Sequence, residues 1–422
     1  MTQARTPAAG GRARPALLLR IGWRNLARNR RRTWLTAGGI AFAVLLVVFS
    51  MAMQLGQYDI MMENATSLLT GHIQIQTADY VDSARFEDTM GSAGALRRVI
   101  EATAGVEAVA PRAEAFALAS AGERSFGARI IGVDPDAERD TVRLLKMVRE
   151  GRAIAAPDDG LLGSLLARNL GVTLGDEVVL LGSEKHGGVA AMVITVAGIL
   201  ETGVADLDRV TLITPLASVQ SAFGLADEVH TFAIRTEDLD RSEAVAESLR
   251  HSLTDRPALV VRHWSEVMPE LRQAIEIDRL GGELFFYVVE VLVVFSIVNT
   301  FIMTVFERTR EFGMLKAIGM KPWRIVAMMQ WEGFFIWLLG ASLGLGLAAI
   351  IVAWLQDVGI YMGETLEEYA EQFYMPARLY PAFSLQAFLS APLVMLMGTQ
   401  IAALLPSLRI FRLNAAAALR GE

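Results

Sequence analysis

Four stretches of this sequence are long and apolar enough to cross a bilayer, and they constrain the fold before any other feature does. A helix rising 1.5 Å per residue needs about 20 apolar residues to cover about 30 Å of hydrocarbon. Residues 34–55, 333–355 and 385–408 meet that length with no charged residue, and 284–306 carries only Glu290. Buried helices of soluble proteins rarely run so far uncharged. An apolar content of 53% points the same way.

The net charge of -7 conceals a segregation that sets orientation, because basic residues are retained on the cytoplasmic side of a membrane. Residues 1–33 hold nine Arg and no acid, 307–332 hold five basic residues, and 409–422 hold three. The loop 356–384 reads oppositely, with Asp357, Glu364, Glu367, Glu368 and Glu371 against Arg378. The expected topology is multi-pass with both termini cytoplasmic. The basic start followed by an apolar run also fits a secretory signal peptide. However, this run is some 22 residues long, begins beyond residue 30 and precedes no small-x-small cleavage site, so an uncleaved anchor is expected. With no cysteine, the sequence offers neither disulfides nor a lipid-attachment thiol.

Residues 56–283, between the first two windows, carry most of the soluble mass. Alternation and β-branched content predict strands near 72–77, 126–133, 177–181, 192–200, 209–214 and 229–235. Helical periodicity predicts helices near 95–103, 161–169, 215–223, 239–253 and 265–277, which makes an α+β domain. Gly182 to Gly188 reads as a hairpin tip. Residues 59–69 and 270–280 are periodic and are expected to extend the flanking helices beyond the apolar windows.

The chemistry-bearing motifs are mostly missing. No G-x-x-x-x-G-K-S/T loop occurs to cradle a triphosphate. The histidines His72, His186, His230, His251 and His263 are scattered without metal-ligand spacing, and there is no G-x-S-x-G elbow. No catalytic residue, metal site or cofactor held by this chain is expected.

The informative stretch is 307–332, directly after the second window. Phe312, Leu315 and Ile318, with Met314 beside Ile318 at i,i+4, are expected to line one face of a short helix ringed by Arg308, Glu311 and Lys316. Gly319 and Pro322 then stop it and turn the chain back towards the membrane. Such a helix either fills a groove on a partner or lies on lipid headgroups, held by Trp323 and basic residues. Within the windows, Gly340, Gly344 and Ala348 at four-residue spacing predict close helix packing. Glu290 and Asn299 are the intramembrane polar candidates. Glu290 reads as structural, paired or facing a wet seam, and Asn299 with Thr300 as hydrogen-bonding across a helix interface.

Glu307 to Gly319 resembles the E-R-x-x-E-I/F-G-x-L-R/K-A-I-G signature of the FtsX-like permeases of ABC transporters. The resemblance spans the chain. Trp23 to Thr33 is similar to the segment that leads into the family's first span. Ile131 to Pro135, Leu166 to Val172 and Gly175-Asp176 look like recurrent pieces of its soluble domain. Pro406 to Arg420 resembles the closing segment, except that Asn414-Ala415 replaces the common Asp-Pro pair.

What the resemblance implies is a non-catalytic subunit of the bacterial inner membrane, whose helix after the second span docks into a separate ABC ATPase dimer carrying ATP and Mg. It also implies a second permease subunit, identical or paralogous. Motion then passes through the spans to the extracytoplasmic domains without a pore for substrate. The layout is nearest the lipoprotein-releasing branch, with lipoprotein cargo and a periplasmic carrier or adaptor as further partners and no nucleic acid. The alternatives within the family are a MacB-like efflux permease and an FtsX-like regulator of a periplasmic effector.

Overall fold

The computed structural model describes residues 30–361, 363 and 378–412. The leading segment through Asn29, residue 362, residues 364–377 with most of the acidic loop, and the tail from Leu413 with its Asn414-Ala415 pair lie outside the described residues. The chain divides into two compact units.

The first unit is helical and takes in residues up to Gln57, Glu276–Tyr361 and the chain from Arg378. Among the described residues, four helices are long and apolar enough to cross a membrane. They are Arg30–Ala65, Pro269–Glu307, Pro322–Val358 and Leu385–Ser407, called here the first to fourth long helices. The first helix outruns its apolar window by ten residues and ends in a π-helical turn, Thr66–Thr70, while the second starts fifteen residues before its window. This agrees with the extensions that the periodicity predicts.

Ile40, Val44 and Val48 of the first helix, Ile297 and Phe301 of the second, Met329 and Ile336 of the third, and Met395 and Ala402 of the fourth share one core. Small residues allow the closest approach. A Cβ added at Gly340 would lie 2.6 Å from the carbonyl oxygen of Ala37, and one at Gly344 would lie 2.5 Å from that of Ala41. Fully buried Ala348 continues the row one turn on. The first and third long helices therefore touch backbone to backbone, as expected for interfaces in lipid, where packing replaces the hydrophobic drive.

The second unit, Tyr58–Ile275, is built on a ten-stranded, mostly antiparallel sheet. Its strands, with a small separate β2–β10 pair, are β1 (Ile73–Thr77), β2 (Met90–Gly91), β3 (Val106–Ala121), β4 (Arg124–Val133), β5 (Val148–Gly151), β6 (Asp159–Gly163), β7 (Glu177–Ser183), β8 (Val189–Leu200), β9 (Thr211–Pro215), β10 (Glu228–Val229), β11 (Thr231–Thr236) and β12 (Leu259–His263). The order is β12-β1-β11-β3-β4-β9-β6-β8-β5, and β7 joins β3 to β8. The path β3-β4-β9-β6-β8-β7 therefore returns to β3 as a closed ring. The sixteen-residue β3 makes this possible. Its first half pairs with β11, and its second half pairs with β4 and, at residues 118–120, also with β7.

Ala113, Ala115, Ala117 and Ala119 of β3 alternate into a core with Ile130, Leu162, Leu180, Ile194 and Leu212. Small side chains let the ring close tightly. The opposite face of β3 shows Phe116 and Leu118, and Leu118 sits directly across from Leu181 of β7.

Polar ties fix the ends of these elements. Asp134 caps the helix Pro135–Thr141 through the amides of Asp136 and Ala137, with proline at the first turn where its missing N–H costs nothing. Glu138 of that helix pairs bidentately with Arg112 of β3, at 3.0 Å to Nε and 2.6 Å to Nη2, with both side chains almost wholly buried. The same guanidinium donates to the carbonyl oxygen of Leu69 in the π-helical turn. Asp159, at the start of β6, accepts from Arg152 and from the amides of Ala155 and Ala156, both at 2.7 Å. The hydrogen bond from Arg152 first, and the two amides after it, hold its carboxyl down at about 2.

Candidate coupling site

The segment after the second long helix folds as a helical hairpin. Arg308 breaks the helix with φ -100° and ψ 11°, and a nine-residue connecting helix, Thr309–Ala317, follows. It closes with paired C-terminal hydrogen bonds, Gly319 N to the carbonyl of Lys316 and Met320 N to that of Leu315. Gly319 sits at φ 97°, a left-handed position that this closure requires and that a side chain would strain. Pro322 then opens the third long helix, which runs back along the connector.

The hairpin sorts its residues differently from the sequence expectation. Phe312 is fully buried in the bundle core and Leu315 packs against that core, so neither lies on an outward face with Ile318. The physical reason is that the third long helix supplies Ile325, Met328 and Met329, which bury this side of a helix too short to stand alone. What faces outward is Arg310, Met314, Ala317, Ile318 and Gly319, joined across the turn by Lys321 and Trp323. Ile318 is 79% exposed, Met314 52% and Trp323 55%. Three large apolar side chains flanked by two cations thus stand on one surface, a composition suited to a partner's groove.

The charged residues turn inward or sideways. Arg308 donates from Nη1 to Glu332 of the third long helix at 3.1 Å and from Nε to Glu311 at 2.8 Å. Its guanidinium lies 5.3 Å from the Phe312 ring centroid, a cation–π distance. Arg308 and Glu332 are both buried, whereas Glu311 is partly exposed. Two further ties reach the first long helix and the short helix Arg409–Arg412 that follows the fourth. Arg32 bonds Glu307 at 2.8 Å, and Lys316 Nζ donates to the carbonyl of Ile410 at 3.2 Å. The sequence assigns no role of their own to Glu332, Arg32 and Glu307. The available signal was Glu332 itself, a carboxylate abutting an otherwise uncharged apolar window.

Within the second long helix, Glu290 is 6% exposed and buried inside the bundle, and it makes no hydrogen bond among the described residues. Among the described residues it therefore has no pairing partner. Thr300 bonds the Ser296 carbonyl of its own helix at 3.1 Å and so does not bridge helices. Asn299 is exposed, on the face that carries Leu292, Phe295, Met303 and Phe306. A lone amide among lipid-facing side chains is costly unless another chain meets it.

In the sheet unit, the β7–β8 hairpin forms where the glycine-rich stretch predicted it. Its tip is pinned, because Lys185 pairs with Glu228 and donates to Thr89 at 2.6 Å. Beside it, Phe116, Leu118, Val179, Leu181 and Val193 make an exposed apolar strip across β3, β7 and β8.

Residues 283–415 match the FtsX-like permease C-terminal family, and residues 33–252 match the MacB-like periplasmic core domain. The lipoprotein-releasing system transmembrane protein LolC of Neisseria meningitidis serogroup B is 24% identical over 351 residues, 79% of this chain and 81% of that protein. LolC of Xylella fastidiosa strain 9a5c is 25% identical over 332 residues, 75% and 78% respectively. Among solved structures, the periplasmic region of MacB from Actinobacillus actinomycetemcomitans covers 51% of this chain and 97% of its own length, at 14% identity and a TM-score of 0.37. The chain belongs to the FtsX-like permeases of ABC transporters that carry a MacB-like periplasmic core domain.

Proposed function

We propose that this permease spans the inner membrane four times with both termini cytoplasmic, and that it converts ATP hydrolysis by a partner into work by its large domain on lipoproteins. The observation that carries the reading is the hairpin after the second long helix, whose outward face of Met314, Ile318 and Trp323 is braced from behind by the bundle. The partner supplies the phosphate-binding loop that these 422 residues lack. Asn299 supports a second permease subunit seated against the second long helix. Phe312, Leu315, Lys316 and Arg308 shape and hold the docking helix from within, while Ile318 and Gly319 meet the partner.

Lipoprotein release is favoured over efflux because the LolC relatives align along about four-fifths of their length. The exposed apolar strip of β3, β7 and β8 supports an extracytoplasmic contact with acylated cargo or its carrier. Depletion of the protein in its host decides the matter. Accumulation of radiolabelled lipoproteins in the inner membrane is the expected result. Normal lipoprotein sorting with altered drug or toxin tolerance would overturn the cargo assignment in favour of efflux.

A further inference from the structure

We propose that Glu332 is a positioning residue for force transfer, because its grip on Arg308 makes the segment from Arg308 to Glu332 one clasped lever. The proposal rests on the docking role above and deepens it, because it concerns what the docked hairpin passes on to the long helices. The connecting helix and the first turns of the third long helix up to Glu332 form two arms of about 14 and 17 Å, at 1.5 Å per residue. Each arm ends at a break. One is the non-helical Arg308, and the other is the turn around Gly319. A push on Met314 and Ile318 can therefore bend the connector at Arg308 or carry the long helices along.

The clasp decides between these outcomes. Arg308 sits at the first break, and its guanidinium reaches across to Glu332 at 3.1 Å while Glu311 and the Phe312 ring hold it from the connector side. Arg32 to Glu307 and Lys316 to the Ile410 carbonyl add ties to the first long helix and to the short helix Arg409–Arg412. Of the two ion pairs described above that reach another long helix, Arg308–Glu332 is the buried one, and Arg32–Glu307 is half-exposed. Solvent screens exposed pairs and leaves them weak, whereas breaking a buried pair strands a charge. The buried clasp is thus the stiff element, and nothing in the outward face depends on it chemically.

The test uses the full chain with its ATPase in lipid nanodiscs, comparing hydrogen exchange with and without ATP and vanadate. The readout is the nucleotide-dependent change over residues 276–283, which precede the second apolar window. Glu332→Gln is expected to retain the ATPase at wild-type stoichiometry while shrinking that change at least tenfold, and Glu332→Asp is expected to keep it. Because the sequence has no cysteine, Arg308→Cys/Glu332→Cys offers a clean second variant, silent until a short bismaleimide bridges the pair and active afterwards. The proposal fails if Glu332→Gln transmits normally, if it releases the ATPase, or if the bridged pair stays silent. A wild-type complex with no nucleotide-dependent change would instead sink the coupling reading itself.

Discussion

Replacing Gly344 with alanine tests the close contact between the first and third long helices. The new Cβ would lie 2.5 Å from the carbonyl oxygen of Ala41 and 3.0 Å from Cβ of Val44, whereas ordinary contact begins near 3.4 Å. The helices must separate by about 0.9 Å at that point. Overpacking of this kind costs about 1–3 kcal/mol, set against a gain of at most about 1 kcal/mol from alanine's better helix propensity. The net expectation is a loss of about 1–2 kcal/mol. Gly346, two residues on, has nothing within 4 Å of its Cβ position and serves as the internal control. Gly346→Ala should be neutral or slightly stabilising.

Gly340→Ala meets the Ala37 carbonyl at 2.6 Å and should resemble Gly344→Ala. One separation relieves both contacts, so the double variant should cost clearly less than the two singles added. Reversible unfolding of the full chain in mixed micelles, followed by tryptophan fluorescence, measures all four. Equal stability of Gly344→Ala and Gly346→Ala, or full additivity of the pair, would refute the reasoning.

Glu138→Leu strands the buried Arg112 guanidinium and should cost about 3–5 kcal/mol, while Arg112→Met/Glu138→Leu should recover most of it in urea titrations. Asp159 has a folded pKa near 2, below its ordinary 3.8, so its stabilisation is complete above about pH 5 and is lost as pH falls towards 2. Asp159→Asn should flatten that acid limb and lower neutral-pH stability by about 1–2 kcal/mol, read as the pH dependence of the urea midpoint. Met314→Asp and Ile318→Asp should each abolish co-purification with the ATPase while leaving the melting temperature of the isolated permease unchanged. Asn299→Leu should weaken permease–permease association at least fivefold in a dilution series in detergent, consistent with about 1 kcal/mol for an amide contact between membrane helices.

Membrane helices were the most legible part of the sequence, because length and the absence of charge suffice to mark them. The short helix within 307–332 was also visible, but its inward and outward faces were not. Phe312 and Ile318 look equivalent on a helical wheel until the third long helix returns to cover one of them. In the sheet unit, β1, β4, β7 and β8 follow their β-branched alternation. No strand is expected over 106–121 from the sequence, because its alanines carry little strand propensity and serve here as the small side chains where the ring closes. Leu161 and Leu162 were assigned to a helix and belong to β6, and Ala205–Val210 is helical where 209–210 was expected to begin a strand. The Arg308–Glu332 clasp spans 24 positions, a separation at which no local pattern links the two residues.

The shared strand β3 sets a rule for recombining this domain with those of relatives. Any chimera that exchanges the ring while keeping the β11 side must join the two parents inside one continuous strand, near the buried Arg112 that also holds Glu138. Crossovers placed in surface loops would leave each parent's half of that strand facing foreign neighbours. Recombination therefore favours exchanging the domain as a single block, which leaves substitutions on its exposed faces as the route by which its contacts can change.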